Sequence, residues 1–295
     1  MKKIFSLLLA ITLGTSIVGC NQQQTEEPAE EASSEVKKAI LVVSFGTSYA
    51  DTREKTIGAT EQRIGEAFPE YDIKRAFTSQ FIINKLKERD GIEIDNPNQA
   101  LTRLKEEGYT EVYVQSLHVI NGAEYDELTE AVMSFTEEFN ILKMGKPLLT
   151  GHEDYAAVAN AYIGHMPERS AGEAVLLMGH GTHHDANAAY ACLDYVFEDE
   201  GIDNVFVGTV EGFPELGTVI KKLEKNQIEK VTLMPLMVVA GDHAQNDMAG
   251  DEEDSWKVML KSQGYDVDYI LKGLGEMPEI QELYIEHLEA AINGE

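Results

Sequence analysis

The chain carries one pattern of segments twice. Residues 111–124 (EVYVQSLHVINGAE) align without a gap over residues 230–243 (KVTLMPLMVVAGDH), and residues 44–47 (SFGT) align over residues 179–182 (GHGT). Both tetrapeptides directly follow a short apolar run of the kind that forms a buried strand. A chain built from two copies of one unit is expected to fold into two similar lobes with a cleft between them.

Within each half, β-branched apolar runs alternate with segments of helical period. Strands are predicted at residues 39–43, 72–76, 111–117, 174–178, 205–209, 231–237 and 267–271. Predicted helices include residues 49–68, 100–107, 125–139, 185–197, 215–225, 256–262 and 278–292. This alternation predicts an α/β fold with parallel sheets that helices cover on both faces. We place the N-terminal lobe at residues 39–168 and the C-terminal lobe at residues 169–295.

The N-terminal segment differs in composition from the rest of the chain. Two lysines precede an apolar stretch, residues 4–13, that is too short to span a bilayer as a mature helix. Residues 17–20 (IVGC) then resemble the lipobox of bacterial lipoproteins. We predict a signal peptide at residues 1–19, a lipidated Cys20, and export to the periplasmic or extracytoplasmic face of a membrane. An ordinary secretory signal is the alternative.

The composition limits which binding partners, cross-links and cofactors are expected. Residues 20–38 are polar and acidic, which predicts a disordered tether. The net charge of −28 makes nucleic acid a poor partner. Contact with a membrane is therefore expected only through the lipid predicted on Cys20. Only Cys20 and Cys192 are present, so no disulfide is expected in the folded body, and Cys192 is predicted to be a buried apolar residue. The glycines form no Walker A or dinucleotide pattern, which predicts no nucleotide cofactor. The sequence leaves open whether the protein forms a homo-oligomer.

Aligning the halves indicates where their chemistry differs. The second half has ligand-type side chains at three successive strand ends, namely His180, Glu211 and His243. At the aligned positions the first half has an aromatic, a small hydroxyl and a carboxylate, namely Phe45, Ser79 and Glu124. Because open α/β folds bind ligands at the carboxyl ends of their strands, the second half is predicted to carry the residues that perform the chemistry. The first half is predicted to form the side of the cleft that contacts the substrate.

The three ligand-type residues allow more than one interpretation. Two imidazoles and a carboxylate suit divalent cobalt, iron, nickel or zinc, and a neutral imidazole is also a base near neutral pH. Glu211 could instead cap the helix that is predicted to begin just after it. His183 and His184 are either additional metal donors or solvated residues of a first helical turn.

Five segments taken together resemble one known family. They are residues 44–48 (SFGTS), 115–125 (QSLHVINGAEY), 178–184 (MGHGTHH), 208–214 (GTVEGFP) and 237–244 (MVVAGDHA). The set is similar to the CbiK-type cobalt chelatases of the anaerobic pathway, which are class II tetrapyrrole chelatases. The resemblance implies two Rossmann-like lobes and a lyase-type reaction, the ATP-independent insertion of Co(II) into sirohydrochlorin.

The resemblance also implies roles for individual residues. His180 and His243 fall on the metal-binding and catalytic histidines of the family, and Glu211 falls on its metal-associated glutamate. Residues expected to contact the tetrapyrrole are Phe45, Leu117, His118, Glu124 and Met237. Because sirohydrochlorin carries many carboxylates, a local basic rim is needed, with Arg53, Lys55 and Arg75 as its candidates. Fe(II) and Ni(II) are alternative metals, and a lipid-anchored metal or haem/tetrapyrrole carrier without catalysis is the alternative function.

Overall fold

The computed structural model describes residues 36–294, which belong to one compact unit. The predicted signal peptide, Cys20 and the predicted tether up to residue 35 lie outside these residues. The first strand begins at Lys38, one residue before the predicted start of the folded body. Among the residues described, no helix is both long enough and apolar enough to cross a membrane.

Two parallel four-stranded sheets form the framework. The strands are β1 Lys38–Ser44, β2 Asp72–Phe77, β3 Glu111–Ser116, β4 Ile141–Gly145, β5 Glu173–Gly179, β6 Val205–Thr209, β7 Lys230–Leu236 and β8 Asp266–Tyr269. The first sheet has the order β2-β1-β3-β4 and the second has the equivalent order β6-β5-β7-β8. The predicted α/β class with two similar parallel-sheet lobes is confirmed.

Strand register confirms the alignment of the two halves. Ser44 pairs with Phe77 in the first sheet, and Gly179 pairs with Thr209 at the equivalent place in the second. The strand β4 was not predicted from the sequence. It is a short edge strand that carries the exposed Lys143, so its apolar pattern is weak.

Helices cover the sheets on both faces. They are α1 Ala50–Arg53, α2 Ala59–Ala67, α3 Gln80–Asp90, α4 Pro97–Glu106, α5 Ala123–Ser134, α6 His152–Ile163, α7 Ala188–Asp199, α8 Leu216–Lys225, α9 Trp256–Ser262 and α10 Pro278–Asn293. A π-helical turn at Glu54–Gly58 joins α1 to α2, so the helix predicted at residues 49–68 forms with a local widening. The prediction that Cys192 is buried is wrong. It lies beside the buried stripe of α7 and is exposed.

One hydrophobic core is shared by the two sheets. Alternate strand residues point to opposite faces, so Ile40 and Val42 of β1 lie in the same core cluster as Val175 and Leu177 of β5. The intervening residues of each strand lie in separate outer clusters, one for each lobe. The shared cluster also contains residues of α6, α7 and α10. The two lobes are therefore joined by packing as well as by the chain.

The last helix of each half packs against the other half. Helix α10 lies on β3 and β4 of the first sheet, where the Tyr284 hydroxyl donates to the Leu117 carbonyl oxygen at 3.1 Å. Helix α6 packs on α7, and its Tyr162 hydroxyl donates to the Pro235 carbonyl oxygen of β7 at 2.8 Å. The predicted lobe boundary at residues 168 and 169 lies between α6 and β5, and packing crosses that boundary in both directions.

The packing of α10 gives a stability prediction. Leu288 is fully buried in the shared core, so Leu288→Ala should lower the free energy of unfolding by about 2–5 kcal/mol. The adjacent Glu289 is exposed, and Glu289→Ala should leave stability within about 0.5 kcal/mol of the wild type. Urea unfolding followed by tryptophan fluorescence measures both values. Equal stabilities of the two variants would show that α10 is not part of the core.

Candidate metal centre

A cavity of about 840 Å³ lies between the carboxyl ends of the two sheets. The first lobe lines it with residues that follow β1, β2 and β3, and the second lobe with residues that follow β5, β6 and β7. All five residues expected to contact a tetrapyrrole line this cavity, namely Phe45, Leu117, His118, Glu124 and Met237. Their contact with a substrate stays a prediction.

Three ligand-type side chains converge on the second-lobe side of the cavity. One possible ligand atom from each of His180, Glu211 and His243 lies within 4.8 Å of the other two. The two imidazole rings meet edge to face, with 4.7 Å between their centres. Each residue follows a different strand, and β5 lies between β6 and β7 in the sheet. Parallel strand ends therefore bring His180 and His243 together, although they are 63 positions apart in the sequence.

Each histidine is oriented by a partner at its Nδ1 atom. The Nδ1 of His180 lies 2.8 Å from the Gly181 carbonyl oxygen, and the Nδ1 of His243 lies 2.5 Å from a carboxylate oxygen of Asp247. Both partners are acceptors, so each Nδ1 carries the proton. The Nε2 lone pair of each neutral ring is then free to bind a metal or accept a proton.

Close packing explains the glycines on either side of His180. A Cβ atom at Gly179 would lie 2.4 Å from the ring of Tyr190, which real side chains do not tolerate. A Cβ atom at Gly181 would lie 2.5 Å from the backbone nitrogen of Gly212, and Gly181 also has a φ of +83°. The Gly-His-Gly sequence thus lets the His180 loop lie directly against the Glu211 loop.

Asn187 ties these two loops together, and sequence reasoning missed it. Its side-chain oxygen accepts from the Thr182 backbone N–H at 3.0 Å, and its side-chain nitrogen donates to the Phe213 carbonyl oxygen at 2.6 Å. No local pattern indicates such a bridge, because it depends on the tertiary approach of the loops. Asp247 was also missed. Its position four residues after His243 is the signal that could have identified it.

The alternative role for Glu211 as a helix cap is wrong. Helix α8 has Glu215 at its N-cap, with no side-chain hydrogen bond there. His184 is a structural residue of the turn that follows it. Its Nδ1 accepts from the Ala186 backbone N–H at 3.1 Å, and its Nε2 lies 3.3 Å from Asp126. His183 lines the cavity but is not a member of the three-residue cluster.

Two further cavity residues have shifted pKa values. Burial raises the pKa of the Glu124 carboxyl; the nearby His180 opposes this shift, while Glu127 and Glu211 add to it. Burial lowers the pKa of His118 to about 4, so this imidazole is neutral near pH 7. Its Nδ1 lies 2.8 Å from the Ser116 hydroxyl oxygen. The first lobe therefore offers a buried neutral ring and a carboxylate with raised proton affinity.

The three residues that were predicted to form a basic rim do not line the cavity. Arg75 is paired with Glu61, and Arg53 donates to the Thr47 carbonyl oxygen. Neither of them, nor Lys55, lines the cavity. Arg53 and Lys55 lie in the helical segment from α1 to α2, and Arg75 lies on β2, where its pairing with Glu61 holds it. Among the residues that line it, Lys85 of α3 is the one lysine or arginine.

The three-residue cluster predicts specific losses of metal binding. His180→Ala should abolish measurable Co(II) binding, because it removes one of only three donors. Asp247→Asn should weaken Co(II) binding by about 10- to 100-fold, the usual effect of removing an orienting partner. Isothermal titration calorimetry with Co(II) measures both, and Asp254→Asn, at an exposed position outside the cavity, is the matched control. Unchanged affinity in His180→Ala would contradict the assignment.

Comparison with known proteins identifies the family. Residues 38–293 match the model of the family described as cobalt chelatase (CbiK). The chain is 47% identical over 258 residues to a sirohydrochlorin cobaltochelatase of Salmonella typhimurium, covering 88% of this chain and 97% of that protein. It is 35% identical over 261 residues to the sirohydrochlorin cobaltochelatase CbiKC of Nitratidesulfovibrio vulgaris, covering 87% and 91%.

Solved structures show the same fold at low sequence identity. SirB from Bacillus subtilis with Fe³⁺ matches with a TM-score of 0.60 and 16% identity, covering 88% of this chain and 97% of that chain. CbiX, described as the terminal enzyme for biosynthesis of siroheme in denitrifying bacteria, matches with a TM-score of 0.50 and 15% identity, covering 86% and 99%. The chain belongs to the CbiK cobalt chelatase family.

Proposed function

We propose that this protein is a sirohydrochlorin cobaltochelatase, which inserts Co(II) into the macrocycle without a nucleotide co-substrate. The observation that carries the proposal is the convergence of His180, Glu211 and His243 on one wall of a cavity between two lobes. Membership of the CbiK family and the relatives named sirohydrochlorin cobaltochelatase support the choice of substrate. The cavity volume lies within the range of about 300–1,000 Å³ that is common for small-molecule sites.

The donor set suits temporary metal binding. The Nε2 atoms of His180 and His243 and the carboxylate of Glu211 supply three ligands, which leaves coordination positions for water or for the incoming nitrogen atoms of the macrocycle. Glu211 is exposed, and both histidines are half-buried, so the ion can enter from solvent. A site with three protein ligands and open positions holds a substrate metal and can also release it.

Insertion requires proton acceptors beside the metal. One Co(II) replaces two pyrrole N–H protons, so the reaction releases two protons for each metal inserted. As the metal leaves the protein for the macrocycle nitrogens, the Nε2 lone pairs of His180 and His243 become free to accept those protons. Glu124 lines the same cavity, and burial raises the pKa of its carboxyl, so it is a further proton acceptor. The histidines therefore act first as ligands and then as bases.

The proposal of cobalt rests on the relatives. Two imidazoles and one carboxylate bind Fe(II) and Ni(II) as well as Co(II), so the donor set alone does not select the metal. Both curated relatives are named cobaltochelatases. We therefore propose Co(II) as the substrate metal, with Fe(II) and Ni(II) as alternatives to be compared under anaerobic conditions.

The reaction is tested by following metal insertion directly. Purified residues 36–295 should convert sirohydrochlorin and Co(II) to cobalt-sirohydrochlorin faster than the uncatalysed reaction, without added nucleotide. Because they lose both a ligand and a base, His180→Ala and His243→Ala should each lower kcat/KM at least about 100-fold. The change in the absorbance spectrum of the macrocycle measures the rate, and His152→Ala, at an exposed position outside the cavity, is the control.

The same assay distinguishes the carrier alternative. If the wild type matched the uncatalysed rate with each of the three metals but bound sirohydrochlorin stoichiometrically, the protein would be a tetrapyrrole carrier. If it neither bound nor converted sirohydrochlorin, the substrate assignment would be wrong.

We also propose that the chain is exported and anchored through a lipid on Cys20. The support is the lipobox-like sequence at residues 17–20 after a basic and apolar leader. The full-length protein should incorporate radiolabelled palmitate in a bacterial host and fractionate with membranes. Cys20→Ser should abolish the label and release the protein from the membrane fraction. Labelling that persisted in the Cys20→Ser variant would contradict the proposal.

A further inference from the structure

We infer that Lys85 binds a peripheral carboxylate of the tetrapyrrole and thereby sets the orientation of the macrocycle in the cavity. The inference rests on the proposed function and names a residue that selects and positions that substrate. It concerns the first lobe, on the opposite side of the cavity from the three metal-binding residues.

Lys85 is placed to receive an anion. It lies on α3, is half-buried, and is the one lysine or arginine among residues 36–294 that lines the cavity. No carboxylate among residues 36–294 lies within ion-pair distance of its ammonium group. The Phe81 ring, with its centre 5.7 Å away, is its aromatic neighbour, and this ring is 70% exposed. A half-buried ammonium without a counter-ion is less stable than a paired one, so an incoming carboxylate gains a charge-assisted contact there.

Neighbouring basic side chains are already engaged, which makes Lys85 different from them. On the same helix, Lys87 is paired with Glu93 at 2.9 Å, and Arg89 is paired with Asp90. Of the three basic side chains of α3, Lys85 is therefore the one without an ion-pair partner among residues 36–294.

The distribution of charge in the cavity indicates how a tetrapyrrole would be oriented relative to Lys85. Its acidic lining residues are Glu124, Glu211 and Asp242. Glu124 is electrostatically coupled to His180 and Glu211, and Asp242 is adjacent to His243, so negative charge gathers around the metal-binding residues. A tetrapyrrole with carboxylates on its periphery is repelled from that side and attracted to Lys85. The macrocycle then lies with a carboxylate edge against the first lobe.

Equilibrium binding of metal-free sirohydrochlorin tests the inference independently of turnover. Its fluorescence is titrated with wild type, Lys85→Glu and Lys87→Glu. The two variants change the net charge equally and sit on the same helix, but Lys87 does not line the cavity. The Kd of Lys85→Glu should rise at least about tenfold, because repulsion replaces a charge-assisted contact. The Kd of Lys87→Glu should rise less than about twofold, because an exposed ion pair contributes little. Raising the salt concentration should weaken binding to the wild type more than binding to Lys85→Glu.

Each outcome is decisive. Equal Kd values for the two variants, whether both unchanged or both raised, would overturn the role of Lys85. Lys85→Gln is the second variant if Lys85→Glu disturbs folding, and Co(II) affinity must be unchanged in either, because the metal-binding residues lie in the other lobe. Tight binding without catalysed insertion would overturn the chelatase proposal. In that case, comparison of the two Kd values would still test whether Lys85 binds the tetrapyrrole. A wild type that does not bind sirohydrochlorin would overturn both.

Discussion

The exchange of last helices between the two halves is the constraint on which the cavity depends. Helix α10 packs on the first sheet and α6 packs toward the second, so apolar residues from both halves bury into one core. Two lobes joined only by a linker would move as separate bodies, since small inter-domain interfaces permit relative motion. Here a change in the width of the cavity would require the Tyr162 and Tyr284 hydrogen bonds and the packing around them to rearrange. The walls that face a substrate are therefore held at a defined separation.

The repeat places two equivalent sets of strand ends across that cavity, and the residues at these ends differ between the two lobes. After β5, β6 and β7 the chain carries His180, Glu211 and His243, which gather into one cluster. After β1, β2 and β3 the equivalent positions carry no such cluster, and the first lobe contributes apolar residues, His118 and Lys85 to the cavity. Under the proposed function, the second lobe binds the metal cation and the first lobe contacts the anionic, partly apolar macrocycle. A single fold repeated twice supplies both surfaces because each presents its loops at the same edge.

The sequence was sufficient to predict the fold class, most strands and the three residues that converge at the candidate metal centre. These features depend on short-range patterns and on the repeat, and parallel strand ends meet at one edge by rule. The register of Ser44 with Phe77 and of Gly179 with Thr209 confirms the alignment that paired His180 with Phe45. The exchange of α6 and α10 could not be predicted, because both possible packings bury the same apolar helix faces.

The supporting residues of the site were harder to predict than its ligands. Asn187 bridges two loops that approach only in the folded chain, and Asp247 orients a ring whose rotamer the sequence does not specify. The basic rim was misplaced for a related reason. Arg53 and Arg75 are close to the correct segments, but helix phase and the partner Glu61 turn them away, whereas Lys85 has the phase that reaches the cavity. Where a side chain points depends on tertiary packing more than on sequence position.

The most direct measurement of the central claim is the location of Co(II) in crystals of the protein by anomalous diffraction at the cobalt edge. We predict one principal peak in the cavity, at about 2.0–2.2 Å from the Nε2 atoms of His180 and His243 and from a carboxylate oxygen of Glu211. A principal peak outside this cluster, for example at His183 or at the His165–Glu279 pair, would contradict the assignment of the metal centre.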